Sequence, residues 1–66
     1  DMMKATVVEI KHPNQYFSPS ITVQVKGGDL HRVDTYKKSH LYALRVGNQI
    51  EVVHQINNPY LIVVES

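Results

Sequence analysis

Apolar and polar positions alternate along most of this chain, and the alternation predicts five short strands. In 4–11, KATVVEIK, Thr6, Val8 and Ile10 share one face and Ala5, Val7 and Glu9 the other. The excess of β-branched residues makes this a strand. His12-Pro13-Asn14-Gln15 then breaks the pattern, because Pro13 has no N–H to pair and Asn14 favours a turn. Tyr16-Phe17-Ser18-Pro19 continues the connection.

The cleanest alternation is SITVQVK, 20–26, with Ile21, Val23 and Val25 on one side and Thr22, Gln24 and Lys26 on the other. Gly27-Gly28 follows and supplies the positive φ angles that a tight hairpin turn demands. The return strand is Asp29–Thr35. Between Tyr36 and Val46 the period of two is lost. Leu41, Leu44 and Arg45 fall near one helical face and Ser39 suits an N-cap, so a turn or two of helix competes with an ordered loop.

Gly47-Asn48 marks another turn. QIEVVHQ then alternates Ile50, Val52 and His54 against Glu51, Val53 and Gln55. Asn57-Asn58-Pro59 turns the chain into its last strand, Tyr60–Glu65. Tyr60, Ile62 and Val64 alternate with Leu61 and Val63, so this strand is apolar on both faces. Such a strand is hazardous on an open edge and acceptable when neighbours pair and cover it. The expected fold is therefore all-β: a small five-stranded barrel, OB-like or SH3-like, with a short helix or loop between strands 3 and 4. The core is expected from Ile21, Val23, Val25, Ile50, Val52 and one face of Tyr60–Val64, with Leu41, Tyr42 and Leu44 covering the other face of the last strand.

The 66 residues read as one small domain spanning 1–66, and Asp1 ahead of Met2-Met3 suggests a piece cut from a longer chain. Chains this short bury a modest share of their surface and usually lean on a disulfide, a metal or a partner. Without cysteine there is neither a disulfide nor a thiolate metal site, and the redox compartment stays open. A net charge of +1 makes no electrostatic case for a phosphate backbone. No apolar run approaches the roughly 20 residues that span a bilayer, and no leader pattern is present.

Four segments carry a resemblance: Ala5–Ile10, Tyr16–Val25, Val46–Val53 and Asn58–Val64. ATVVEI, a Tyr and Pro ahead of an alternating strand, a Gly hairpin, VGNQIEVV and NNPYLIVV together resemble an uncharacterised family of short bacterial β-barrel domains. That family is often found beside membrane-spanning helices. The resemblance implies a five-stranded barrel and brings no catalytic residues with it. The insert TYKKSHLYALR and the lack of flanking membrane helices depart from the family pattern.

Candidate chemistry is sparse. His12, His31, His40 and His54 show no helical i, i+4 pair, although His31 and His54 could meet across a ladder; scattered histidines explain them better than a metal site. None of Ser18, Ser20, Ser39 and Ser66 sits in a G-x-S-x-G elbow. Asp29 and Asp34 make no recognisable acid–base pair, and a barrel this small has little room for a pocket of about 300 Å³. KGGD joins two strands and opens no helix, so it is a turn and not a phosphate cradle.

One set stands out: Tyr16, Phe17, Arg32, Tyr36, Lys37, Lys38, Tyr42 and Arg45, with His31 and His40 beside it. Aromatics interleaved with cations suit stacking on bases and pairing with phosphates. The alternative is that Tyr16, Phe17 and Tyr42 plug the barrel ends while Lys37-Lys38 solvates a loop; Asp29, Asp34 and Glu51 dilute the charge in either case. The expected function is a non-catalytic binding module with no cofactor, engaging a protein or a second copy of itself through a sheet edge. An OB-type binder of single-stranded DNA or RNA is the alternative.

Overall fold

The computed structural model describes residues 2–34, 38–54 and 56–63, together with the backbone but not the side chains of 38–40. The strands are β1 (Met2–Lys11), β2 (Ser20–Val25), β3 (Leu30–Asp34), β4 (Gln49–His54) and β5 (Leu61–Val63), with one helix, α1 (Lys38–Ala43), between β3 and β4. They close into a barrel in the order β1-β2-β3-β5-β4. Among the described residues the β3–β5 pairing is parallel and the other four are antiparallel.

Strand β2 buries Ile21 and Val23 and turns Thr22 and Gln24 outward, as its alternation requires. Val25 and Ile50, expected in the core, are half-buried and pack against its edge. The interior is filled by Ala5 and Val7 of β1, Val33 of β3, Val52 of β4 and Leu61 of β5, and Leu41 of α1 joins them.

In β1 the simple alternation fails. Val7 faces Val23 and Glu9 faces Thr22, which leaves Val8 as an extra, bulged residue. A bulge exchanges the faces of everything beyond it. Ile10 therefore packs on the same core as Ala5 and Val7, not on the face of Thr6 and Val8.

The hairpin between β2 and β3 places both glycines at positive φ, 103° and 97°. Its turn holds one more residue than a two-residue glycine turn. The Gly28 N–H donates to the Val25 carbonyl at 3.0 Å, so Lys26 and Gly27 are the central pair and Gly28 follows them. Positive φ at the second central residue is what a type II turn asks of glycine.

Helix α1 begins at Lys38, so Ser39, the expected N-cap, is its second residue. The Arg45 guanidinium Nη1 closes the other end by donating to the Tyr42 carbonyl at 2.9 Å. The following turn docks on β1: Gly47 N–H donates to the Val7 carbonyl and Val7 N–H to the Asn48 carbonyl, both at 2.8 Å.

Strand β5 pairs β4 on one side and β3 on the other. Leu61 and Ile62 are 2% and 5% exposed, so both faces are covered within a single chain. Leu41 does not supply the outer cover, because it belongs to the interior cluster that excludes Ile62. Val64 lies outside the described residues.

Candidate binding surface

Two regions of the outer wall carry the residues picked out from the sequence. The first is the loop between β1 and β2, residues 12–19, with α1 beside it. β1 and β3 both run antiparallel to β2, so this loop and the α1 connection leave the same end of the barrel. The His12 and Tyr42 rings stack there, 5.5 Å between centroids and 23° between planes.

Asn14 shapes the tip of that loop. Its Oδ1 accepts from the Tyr16 and Phe17 N–H groups at 2.7 and 2.8 Å, and its own N–H donates to the Phe17 carbonyl at 3.1 Å. This Asx-type turn holds the backbone while both rings project outward. Tyr16, Phe17 and Tyr42 are 77%, 65% and 61% exposed, which overturns the reading of these aromatics as plugs of the barrel ends. Leu41 does the plugging instead. A cleft of about 250 Å³ beside the tip is lined by Lys11, His12, Asn14 and Phe17. No Asp or Glu occurs in 10–28 or 35–50, so the loop and the helix bring no carboxylate of their own to this end.

The second region is the outer row of β3. Leu30, Arg32 and Asp34 project outward and are exposed. A cleft of about 220 Å³ is lined by Ser18, Pro19, Ser20, Arg32, Val33, Asp34 and Tyr60. It joins the end of the 12–19 loop to the start of β5.

Beside this cleft the β3–β5 pairing is short: Val33 faces Leu61 and Asp34 faces Ile62. Pro59 explains why it stops, because it has no N–H to give at the next position that faces β3. Tyr60 N–H, on the β4 side, is taken by Asn58 Oδ1 at 2.9 Å. The Asn57–Asn58 turn, with Asn57 at φ 67°, carries the chain off the ladder. Leu30–Arg32 therefore pair with β2 along one edge and have no Cα partner in another strand among the described residues. The ladder to β5 begins beside Arg32 and takes its carbonyl, which leaves the Leu30 N–H and C=O and the Arg32 N–H on the open side.

Of the candidate set, Tyr16, Phe17 and Tyr42 gather at the helix end, and Arg32 stands apart on β3. Arg45 is engaged in closing α1. Lys38 is the first residue of α1, and Tyr36 and Lys37 lie outside the described residues. His31 and His54 do not meet across a ladder, because β5 lies between β3 and β4. Among the described residues no three His, Asp or Glu side chains cluster to hold a metal.

A groove of about 440 Å³ lies where Lys4, Thr6, Gln24, Lys26 and Gln49 meet. It exceeds what chain size suggested, and it forms on the outer wall over strands whose inner face is packed. Alternation pointed to these outward rows. It gave no sign of the open stretch of the β3 edge, whose cause lies at Pro59, remote in the chain.

Among the described residues no helix is long and apolar enough to cross a membrane. Compared with protein-family models, curated proteins and solved structures, the chain matches none. The five-stranded barrel implied by the resemblance to short bacterial domains is present.

Proposed function

We propose that the chain is a non-catalytic binding module of OB type that receives an extended polypeptide along the free edge of β3. The strand order and the helix between β3 and β4 support the OB assignment, a five-stranded Greek-key barrel that presents strands 2 and 3 to ligands. The observation that carries the reading is the stretch Leu30–Arg32, paired with β2, without a second Cα partner among the described residues and flanked by a cleft. Strand addition satisfies such a row of backbone groups and lengthens the sheet. The exposed Leu30 adds apolar contact.

Amide exchange of the isotopically labelled chain, with and without extended synthetic peptides, tests this. New protection at the Leu30 and Arg32 amides, with shifted signals confined to Leu30–Arg32, is expected. Peptide-induced changes elsewhere that spare these amides would sink the reading. A concentration series by light scattering separates capture of a foreign segment from self-association.

The helix end supports a second reading, binding of single-stranded nucleic acid. The exposed Tyr16, Phe17 and Tyr42 sit beside Lys11 and His12, and none of these loop and helix segments contains a carboxylate. Base stacking on such rings is tolerant of sequence, and backbone contacts give an affinity that falls linearly with salt on a log–log scale. Titration of a fluorescent oligonucleotide at low and moderate salt decides it, and no binding at low salt ends it.

A further inference from the structure

Resting on the polypeptide reading, we infer that the β3 edge selects a segment of the form acidic–any–apolar, running antiparallel to β3. Side chains of an added strand alternate between faces with a period of two. Residues opposite Leu30 and Arg32 therefore share the outer face, and the residue between them lies with half-buried His31. Leu30 is exposed and calls for an apolar neighbour; Arg32 is exposed and calls for a carboxylate. The outer face beside Arg32 opens into the cleft of about 220 Å³ whose lining includes the hydroxyl-bearing Ser18, Ser20 and Tyr60, which gives the carboxylate room and donors.

Asp34 lies two positions from Arg32 on the same row and repels an acid, but its end of the edge is already occupied by β5. The segment is thereby directed toward Leu30. Antiparallel pairing is the more stable arrangement per residue, and it places the acid before the apolar residue in the partner.

A second copy of this chain pairing β3 to β3 does not meet these demands. Antiparallel β3–β3 registers that keep outward residues together set Arg32 against Leu30, Gly28 or another Arg32. The register that sets it against Asp34 is centred on Val33, which already faces Leu61. With the β3–β3 dimer set aside, the exposed Arg32 and Leu30 point to a foreign acidic–any–apolar segment as the occupant.

The test uses peptides that are isomers of one another, one carrying Asp-Val-Leu and one Leu-Val-Asp in the same threonine- and valine-rich frame, and a third carrying Lys-Val-Leu. Chemical-shift titration of the labelled chain reads binding at the Leu30–Arg32 amides. Asp-Val-Leu is expected to bind most tightly. Arg32→Glu should weaken it about tenfold and shift the preference to Lys-Val-Leu. Leu30→Ser should weaken both aspartate peptides while the fold, read by amide dispersion, is retained. Peptides that bind at these amides with no dependence on order or on Arg32 overturn the selectivity and leave strand addition standing. If no peptide reaches these amides, both readings fall together.

Discussion

Strands β2 and β5 are both rich in β-branched and aliphatic residues, yet the barrel uses them differently. β2 shows a buried row of Ile21 and Val23 against a polar row of Thr22 and Gln24. β5 is a three-residue strand in which consecutive residues, Leu61 and Ile62, are both buried. β2 forms one wall of the interior. β5 is enclosed by β3 and β4 and covered on the outside as well. Alternation thus marks a strand with one wet face, and its absence marks the strand that closes the barrel.

Removing the closing strand is the strongest way to break this comparison. A chain lacking Leu61–Ser66 should lose its fold, because β3 and β4 would face each other with no strand between them. Native-like amide dispersion in the shortened chain would make β5 an appendage. Next in size are single core truncations. Val23→Ala and Ile62→Ala should each cost about 1–3 kcal/mol in denaturant unfolding, whereas Thr22→Val should stay within about 0.5 kcal/mol. If Ile62→Ala proves as mild as Thr22→Val, the outer face of β5 contributes nothing and the two strands are alike.

The hairpin that sets the register of β2 comes third. A side chain at Gly27 meets nothing within 4 Å, so Gly27→Val acts through backbone strain at φ 103° alone. It should cost about 1–2 kcal/mol, and Gly27→Asn distinctly less. An equal cost for both would place the penalty in packing. The smallest effect belongs to Asn58→Ala, which frees the Tyr60 N–H at the start of β5. A loss of about 1 kcal/mol or less is expected, with faster exchange at the Tyr60 amide. Exchange unchanged at Tyr60 would show that the Asn58 side chain does not hold the start of β5.

Much of this fold was legible because period and turn chemistry agree. SITVQV, the glycine pair and the Asn-Pro turn each state a strand or its end in residues whose conformational limits are known. The bulge at Val8 was not legible: an extra residue has no signature in the alternation, so Ile10 could only be placed once its partner Ile21 was seen. The same holds for Leu41 as the interior plug, since six residues of helix offer too little periodicity to say which side chain turns inward. The aromatic loop was visible as composition, but whether Tyr16 and Phe17 face the core or the solvent depends on Asn14 accepting their two N–H groups. The free edge of β3 lay furthest from view, because it is created by residues remote in the chain.

The parallel seam between β3 and β5 has a kinetic consequence. Val33 and Leu61 meet across the whole span of α1, β4 and the following turn, and two residue pairs hold the seam. The β2–β3 hairpin needs only a short loop to close, while the seam must first overcome the entropy of ordering everything between its ends. Folding should therefore begin with the hairpin and end at the seam, with the nearly complete barrel waiting as an open sheet. During that interval the still unpaired edge of β3 runs from Leu30 through Asp34, so the nascent chain presents a longer docking strip than the finished one, and crowding at that stage favours association between neighbouring chains.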